Sequence, residues 1–308
     1  MNMIREKIPV YDICNLTGNT ARESEFLAER FGPYLKRQAT RLHFPHRHNF
    51  YHLVLFIKGA GYHTIDFTQF KVRPFEIYFM IPGQVHSWQF EGETDGYIIN
   101  FSENLFRSFL LNPNWFEKFS FFSGLSEDGV LKISANIKSK VIQLFEEILE
   151  LTTKENGQDL IRLLVLQIFT LIEQSVTGTN KKAIPAAKQV LFRNFRRLID
   201  QYYKTTRLPK EYAGLLYITP NHLNALCRDV SGKSAGELIR DRVLLEAKRL
   251  LTNAGMTITE IAYNLDFQDN SYFTRFFKKS TGSTPDEFRK QLIIPKIKAH
   301  AHTAKSKK

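Results

Sequence analysis

Two groups of side chains in this sequence have types and spacings that can do chemistry. The first is a set of imidazoles, His46, His48 and His52, joined later by His86. The first three share parity, so an unbroken strand puts them on one face. Neutral imidazole is a ligand for Zn²⁺, Cu²⁺, Ni²⁺ or Fe²⁺. It is also an ordinary polar lining group, and with Arg47, Tyr51 and Trp88 close by in sequence the set is a candidate pocket for a small effector. The second group lies far downstream, in two short polar clusters. One is Asn221, His222, Asn224 and Arg228; the other is Asn270, Ser271, Thr274, Arg275 and Lys278. Their donors and acceptors suit base edges and phosphates in a major groove.

These groups need elements to position them. Around the histidines, residues 40–102 are predicted to be β structure. The apolar runs Tyr51–Ile57, Tyr62–Phe70 and Glu76–Ile81 are separated by Lys58-Gly59-Ala60-Gly61, Arg73-Pro74 and Pro82-Gly83, and Tyr97–Phe101 is a further strand. Short strands rich in Val, Ile, Phe and Tyr with turns at this spacing imply a sandwich or barrel. Beyond residue 103 the pattern turns helical. Ser134–Thr153 and Gln158–Ser175 carry leucine-rich faces at three-to-four spacing and are predicted to pair antiparallel across Lys154-Glu155-Asn156-Gly157. Those faces either pack on the β structure or form a homodimer seam through residues 134–175. Thr177–Pro185 has the composition of a linker. The expected division is therefore a sensor-like domain over 1–176, a linker over 177–187, a helical domain over 188–292 and a basic tail over 293–308.

Charge separates the same halves. The 308-residue chain carries +12, but residues 1–180 hold 18 Lys and Arg against 20 Asp and Glu. The basic excess, +14, lies entirely in residues 181–308, and +9 remains without Lys296–Lys308. Such asymmetry points to a polyanionic partner. With 43% hydrophobic residues the chain can build cores, and with two cysteines it does not depend on disulfides. Met1–Val10 carries Arg5, Glu6 and Lys7, so no secretory signal is expected. The most apolar stretch, Leu160–Ile172, is short and broken by Arg162 and Gln167, so no membrane span is expected. A soluble cytoplasmic location follows.

The basic half contains a repeat. Glu211–Tyr217 is predicted as a short helix. Ile218-Thr219-Pro220 is a turn in which Thr219 caps and Pro220 takes the first helical position, and Asn221–Val230 is a second helix ended by Gly232. About fifty residues on, Thr257–Leu265 opens with the capping box Thr257-x-x-Glu260, Asp266-Phe267-Gln268 turns, and Asp269 caps a helix over Asn270–Ser280 that stops before Gly282. Leu223-x-x-Leu226-Cys227-Arg228-x-x-Ser231-Gly232 echoes Phe273-x-x-Phe276-Phe277-Lys278-x-x-Thr281-Gly282. Two helix-turn-helix units with equal internal spacing, joined by a long helix over Ala235–Asn253, put both polar clusters on exposed second helices.

On these residues the region 189–292 resembles the DNA-binding domain of the AraC/XylS family of bacterial transcription regulators. The second unit carries the resemblance, through Ile258-Thr259-Glu260-Ile261-Ala262 and the run Ser271 to Pro285. The family usually has Gly where this chain has Asp266, at a left-handed position. The β half, through Pro45-His46-Arg47-His48, Gly59 and Ile81-Pro82-Gly83-Gln84-Val85-His86, resembles the cupin-type effector domain that often precedes it. Metal-binding cupins have His-x-His, a carboxylate and a later His. Here His52 stands at the carboxylate position, and Phe75 replaces the usual turn Gly. The resemblance implies a multidomain α and β chain: an N-terminal cupin-like β-barrel with a helical pair, then a C-terminal all-α bundle with two helix-turn-helix units. It implies two recognition helices in successive major-groove segments, recruitment of RNA polymerase and activation as the commoner mode. It also implies an unidentified small-molecule effector bound without metal, with the histidines as polar packing at the barrel mouth, so no metal and no cofactor are expected.

The competing reading is a metal-dependent cupin enzyme with a helical appendage. The four histidines favour it; the missing carboxylate, the doubled helix-turn-helix and the basic half oppose it. A nonspecific nucleic-acid binder would need only the charge. P-loop, Gly-x-Ser-x-Gly and dinucleotide fingerprints are all lacking.

Overall fold

In a computed structural model of the chain, the described residues are 8–17, 25–42, 44–107, 109–110, 115–154, 157–177, 185–253 and 255–292. Most of the expected linker and all of the basic tail lie outside them. The chain divides into two units, one of residues 9–181 and one of residues 182–308 together with 1–8.

The first unit opens with β1 (Val10–Tyr11), α1 (Ile13–Thr17), β2 (Phe26–Arg30) and α2 (Phe31–Leu42). There follow β3 (His46–His48), β4 (Tyr51–Lys58), β5 (Gly61–Ile65), β6 (Thr68–Lys71), β7 (Glu76–Met80), β8 (Val85–Phe90) and β9 (Asp95–Phe101). After α3 (Asn104–Arg107) come β10 (Val130–Lys132) and the helices α4 (Ala135–Leu151) and α5 (Gln158–Thr177). The strands form two five-stranded sheets, β1-β3-β8-β5-β6 and β10-β7-β4-β9-β2. The expected barrel is thus cupin-like in its two sheets but not closed: among the described residues no ladder of hydrogen bonds joins one sheet to the other.

The second sheet is buried on both faces. Val54, Phe56, Tyr78 and Ile98 share a core with Ile65 and Trp88 of the first sheet. Leu53, Leu55, Ile77, Phe79 and Ile99, of opposite parity, share another with Val141, Leu144, Phe145 and Ile148 of α4 and Val165, Ile168 and Phe169 of α5. Burial on both sides explains why β4 reads as a continuous apolar run rather than an alternation. It also assigns the main leucine-rich faces of α4 and α5 to packing on the β structure, although Leu160 and Leu163 remain half exposed.

Two expectations are corrected here. The run Tyr62–Phe70 is not one strand but a hairpin, turned by Asp66 and Phe67 at φ 46° and 75°. The Asp66 carboxylate accepts from the Val85 backbone N–H (3.1 Å) and from Gln84 (2.9 Å), which fixes a left-handed turn that no glycine announces. Residues before 40 also contribute to both sheets, β1 pairing parallel to β3 and β2 antiparallel to β9. Phe75, at the place where the resemblance puts a glycine, does adopt a left-handed φ of 63°.

The second unit is helical: α6 (Ala186–Tyr202), α7 (Pro209–Leu215), α8 (Pro220–Ser231), α9 (Ala235–Leu251), α10 (Ile258–Asn264) and α11 (Asn270–Thr281), with residues 285–292 also helical. One core runs through it, from Phe195 and Ile199 of α6 by Leu223, Leu226 and Cys227 of α8 to Phe273 and Phe277 of α11. Arg242 on α9 bonds Asp200 on α6 at 2.7 Å and lies 4.0 Å over the Tyr203 ring, which braces the two longest helices of the unit.

Candidate functional sites: two recognition helices and a buried histidine cluster

The helices α8 and α11 are built alike, because the same local signals start and stop them. Thr219 caps α8 by accepting from the His222 N–H (3.2 Å), with Pro220 at the first helical position. Asp269 caps α11 by accepting from the Tyr272 N–H (2.7 Å). Gly232 and Gly282 end them in left-handed conformation, at φ 74° and 81°. The turn before each is the same device. The Ile218 N–H bonds the Ala213 carbonyl and the Phe267 N–H bonds the Ala262 carbonyl, both at 3.0 Å. The residue that must be left-handed is Tyr217 (φ 55°) in one unit and Asp266 (φ 57°) in the other. The second turn is one residue longer, by Gln268. Arg207, just before α7, ties the first helix-turn-helix to the second. It donates to the Leu265 carbonyl at the second turn, and its guanidinium stands 4.7 Å over the Phe267 ring.

On each second helix the apolar side is buried and the polar side exposed. Leu223, Leu226, Cys227, Phe273 and Phe277 are in the core. Asn221, His222 and Arg228 are exposed on α8, and Asn270, Ser271, Arg275 and Lys278 on α11. Thr274 is half-buried. Asn224 is half-buried, and its Oδ1 accepts from the Ala235 N–H at 3.1 Å, at the first residue of α9. An orphan donor at a helix start needs such an acceptor, so Asn224 positions α9 and its carbonyl is not free to read a base. Tyr272, half-exposed in the first turn of α11, was missed. Aligning the repeat would have found it, since it stands where His222 stands in α8.

In the first unit the structure brings together His46, His48, His52, His86 and Trp88, and adds His63. All five imidazoles are buried. They are not at the mouth of the β structure but in its interior. His46 pairs directly with His86 across β3 and β8. Ring centroids are 4.1 Å apart for His46 and His86, 4.7 Å for His48 and His86 and 5.3 Å for His63 and His86. His52 comes from the other sheet, where it pairs with Asn100 and bonds its Oδ1 at 2.6 Å. Tyr51 is not in this group. Its opposite parity on β4 stacks it on Phe101 (4.9 Å) and Phe116 (5.4 Å), on the helix-covered face of its sheet. Arg47 likewise alternates away from its neighbours His46 and His48 and is only half-buried.

Burial pushes all five imidazoles toward the neutral form. It lowers His46 to about 4 against the raising effect of the Phe44 carbonyl. It lowers His52 to about 3 against that of Asn100. Burial and neighbouring imidazoles hold His48, His63 and His86 well below the usual histidine range. Each ring therefore keeps one nitrogen lone pair near neutral pH.

The fold and these sites define a class: a DNA-binding protein in which a double helix-turn-helix unit follows a β-rich unit with a polar interior. Residues 212–291 match the model of a helix-turn-helix domain, and residues 33–166 match that of an AraC-like ligand binding domain. The HTH-type transcriptional regulator YijO of Escherichia coli K12 is 27% identical over 170 residues, covering 55% of this chain and 58% of that protein. The arabinose operon regulatory protein of Salmonella typhimurium is 25% identical over 247 residues, covering 78% of this chain and 83% of that protein. The transcriptional activator RhaR of Cronobacter sakazakii is 21% identical over 277 residues, covering 88% and 95%. The chain belongs to the AraC/XylS family and is a DNA-binding transcription regulator.

Proposed function

We propose that this regulator binds a specific operator through α8 and α11, each laid in a major-groove segment, and activates transcription in response to a small molecule bound in the first unit. The carrying observation is the pair of equivalently capped helices whose exposed sides carry Asn221, His222 and Arg228 in one and Asn270, Ser271, Arg275 and Lys278 in the other. Among these, Arg275 suits bidentate contact to guanine, and Lys278 and Arg228 suit phosphate. The basic excess of the second half supplies the sequence-independent part of the affinity.

The effector site is the interior around His46, His48, His52, His86 and Trp88, where a few polar nitrogens are set among aromatic walls. The first unit is taken as a binding module and not as an enzyme, because the relatives it matches are named as regulators. Contact with RNA polymerase, a cytoplasmic location and a homodimer through residues 134–175 belong to the same proposal. For the homodimer, half-exposed Leu160 and Leu163 on α5 are the support. For location, no helix of the described residues is long and apolar enough to cross a membrane.

Mapping genomic sites bound by the full chain tests the proposal. The recovered duplex, compared with a shuffled one across a salt series, should bind 10³-fold or more tighter with a similar salt slope. Equal binding to both would leave a nonspecific binder.

A further inference from the structure

The two helix-turn-helices are joined by more than α9. Val243, Ala247 and Leu251 of α9 lie in the core that both share. Apolar packing by itself is non-directional; a directed contact across the two narrows the angles open to them. Such a contact runs through residues 203–208, between α6 and α7. On the side of the first helix-turn-helix it is anchored by Tyr212 of α7, buried in the core, whose hydroxyl donates to the Thr206 carbonyl at 3.0 Å. On the side of the second, Arg207 donates to the Leu265 carbonyl and stands 4.7 Å over the Phe267 ring. Nε of the same guanidinium donates to the Lys204 carbonyl at 3.2 Å, and Lys204 Nζ donates to Asn264 Oδ1 at 3.3 Å. The Phe267 ring centroid lies 5.7, 5.2 and 5.3 Å from those of Tyr272, Phe273 and Phe276. The path therefore leads from the first helix of one helix-turn-helix to the first two turns of α11 in the other.

Duplex DNA makes that angle matter. It turns once in about 10–10.5 base pairs over roughly 34–36 Å, so a shift of one base pair moves a groove site by about 3.4 Å and rotates it by ~35°. Hydrogen bonds to base edges do not follow such a shift, because they weaken steeply beyond about 3.2 Å. We propose that Arg207 is a positioning residue that fixes the phase between α8 and α11, and with it the single spacing of operator subsites that the chain accepts. This rests on the reading that both helices enter the major groove. A guanidinium suits the task, since its planar fork stacks on a ring face while aiming N–H groups at carbonyls. Lysine keeps the charge but has neither plane nor fork. Arg207 acts through the second turn and not on the DNA: its Nε–H and one terminal N–H are committed to backbone carbonyls and its face to Phe267.

The test uses the full chain to select duplexes from a library of random sequence. The parent should enrich two sequence blocks at one spacing. Arg207→Lys, and separately Phe267→Leu, should enrich the same two blocks with the spacing spread by one base pair either way. On the parent's selected duplex, one base pair inserted between the blocks should weaken the parent about 100-fold and Arg207→Lys about 10-fold or less. Arg207→Gln, which removes the charge, should leave the salt slope unchanged, whereas loss of a phosphate contact would lower it by about 1. The proposal is overturned if both variants keep one spacing and the parent's insertion penalty, since α9 and the core then set the phase alone. A salt slope lowered in Arg207→Gln also overturns it. The parent's own insertion penalty needs no variant to fold: a parent that accepts one base pair more or less has no fixed phase, and the proposal falls. If the parent enriches one block or none, the two-helix operator reading fails and this proposal with it. Two blocks at an unaltered spacing in the variants leave that reading standing and remove only the role of Arg207.

Discussion

Asn224 and Arg275 lie on α8 and α11: the structure ties Asn224 to the start of α9, and the proposed function gives exposed Arg275 a base to read. Asn224→Ala removes the acceptor for the Ala235 N–H. A half-buried hydrogen bond of this kind contributes about 1 kcal/mol, with more lost if the helix-start donor is left dry. For a domain of this size 1 kcal/mol lowers the melting temperature by roughly 4–8 °C. Arg275→Ala removes an exposed side chain that has no ion pair among the described residues, so stability should hold within about 0.5 kcal/mol. If Arg275 makes a bidentate base contact, its loss costs about 1–3 kcal/mol of operator binding, roughly 5- to 150-fold, and much less on a shuffled duplex. Thermal melting and fluorescence anisotropy on both duplexes at two salt concentrations separate the two effects. The reasoning fails if Asn224→Ala melts like the parent while losing discrimination at one base pair. It fails equally if Arg275→Ala weakens both duplexes alike, which would make it a phosphate contact.

Three more outcomes follow from the second unit. Tyr217→Gly and Asp266→Gly should each stabilise by about 0.5–1 kcal/mol in denaturant melts, because relief of a left-handed side chain exceeds the added freedom of glycine when unfolded; Tyr217, 97% exposed, loses no packing in the exchange. Arg207→Ala should destabilise by about 1–2 kcal/mol and speed hydrogen exchange at Leu265–Asp269, since it removes both the bond to the Leu265 carbonyl and the stack on Phe267; unchanged exchange there would show that the second turn stands without it. Cys227 should resist alkylation at pH 8 until the unit unfolds, because burial pushes its thiol up to about 12; rapid native labelling would contradict that burial.

Much of the second unit was legible in the sequence because its signals are local. Thr219, Pro220, Thr257, Asp269, Gly232 and Gly282 act within one helical turn of themselves, and each does what its type and position imply. The echo between residues 223–232 and 273–282 is likewise a sequence property, and it is realised as two matched helices. The bond from the Ala235 N–H to Asn224 was not legible, because Ala235 lies across a turn whose geometry no pattern within α8 records.

The first unit was less legible. Parity set His46 and His48 on one face of β3, but the unbroken strand expected to carry His52 beside them is broken: His52 lies on β4 of the other sheet and meets them across the interior. The same rule, applied to Tyr51 and Arg47, would have kept both out of the cluster. His63 carried no signal of its own, since it joins the others only through the pairing of β5 with β8.

What the sequence by itself determined was the helix-turn-helix repeat, the split of charge between the halves and the strand-then-helix order of the first. Capping, periodicity and charge are written within a few residues of where they act. The tertiary structure alone decided which imidazoles meet. It also decided that the strands form two sheets rather than a closed barrel. Those outcomes depend on register and on long-range pairing between strands far apart in the chain, where a shift of one residue would turn every side chain to the opposite face.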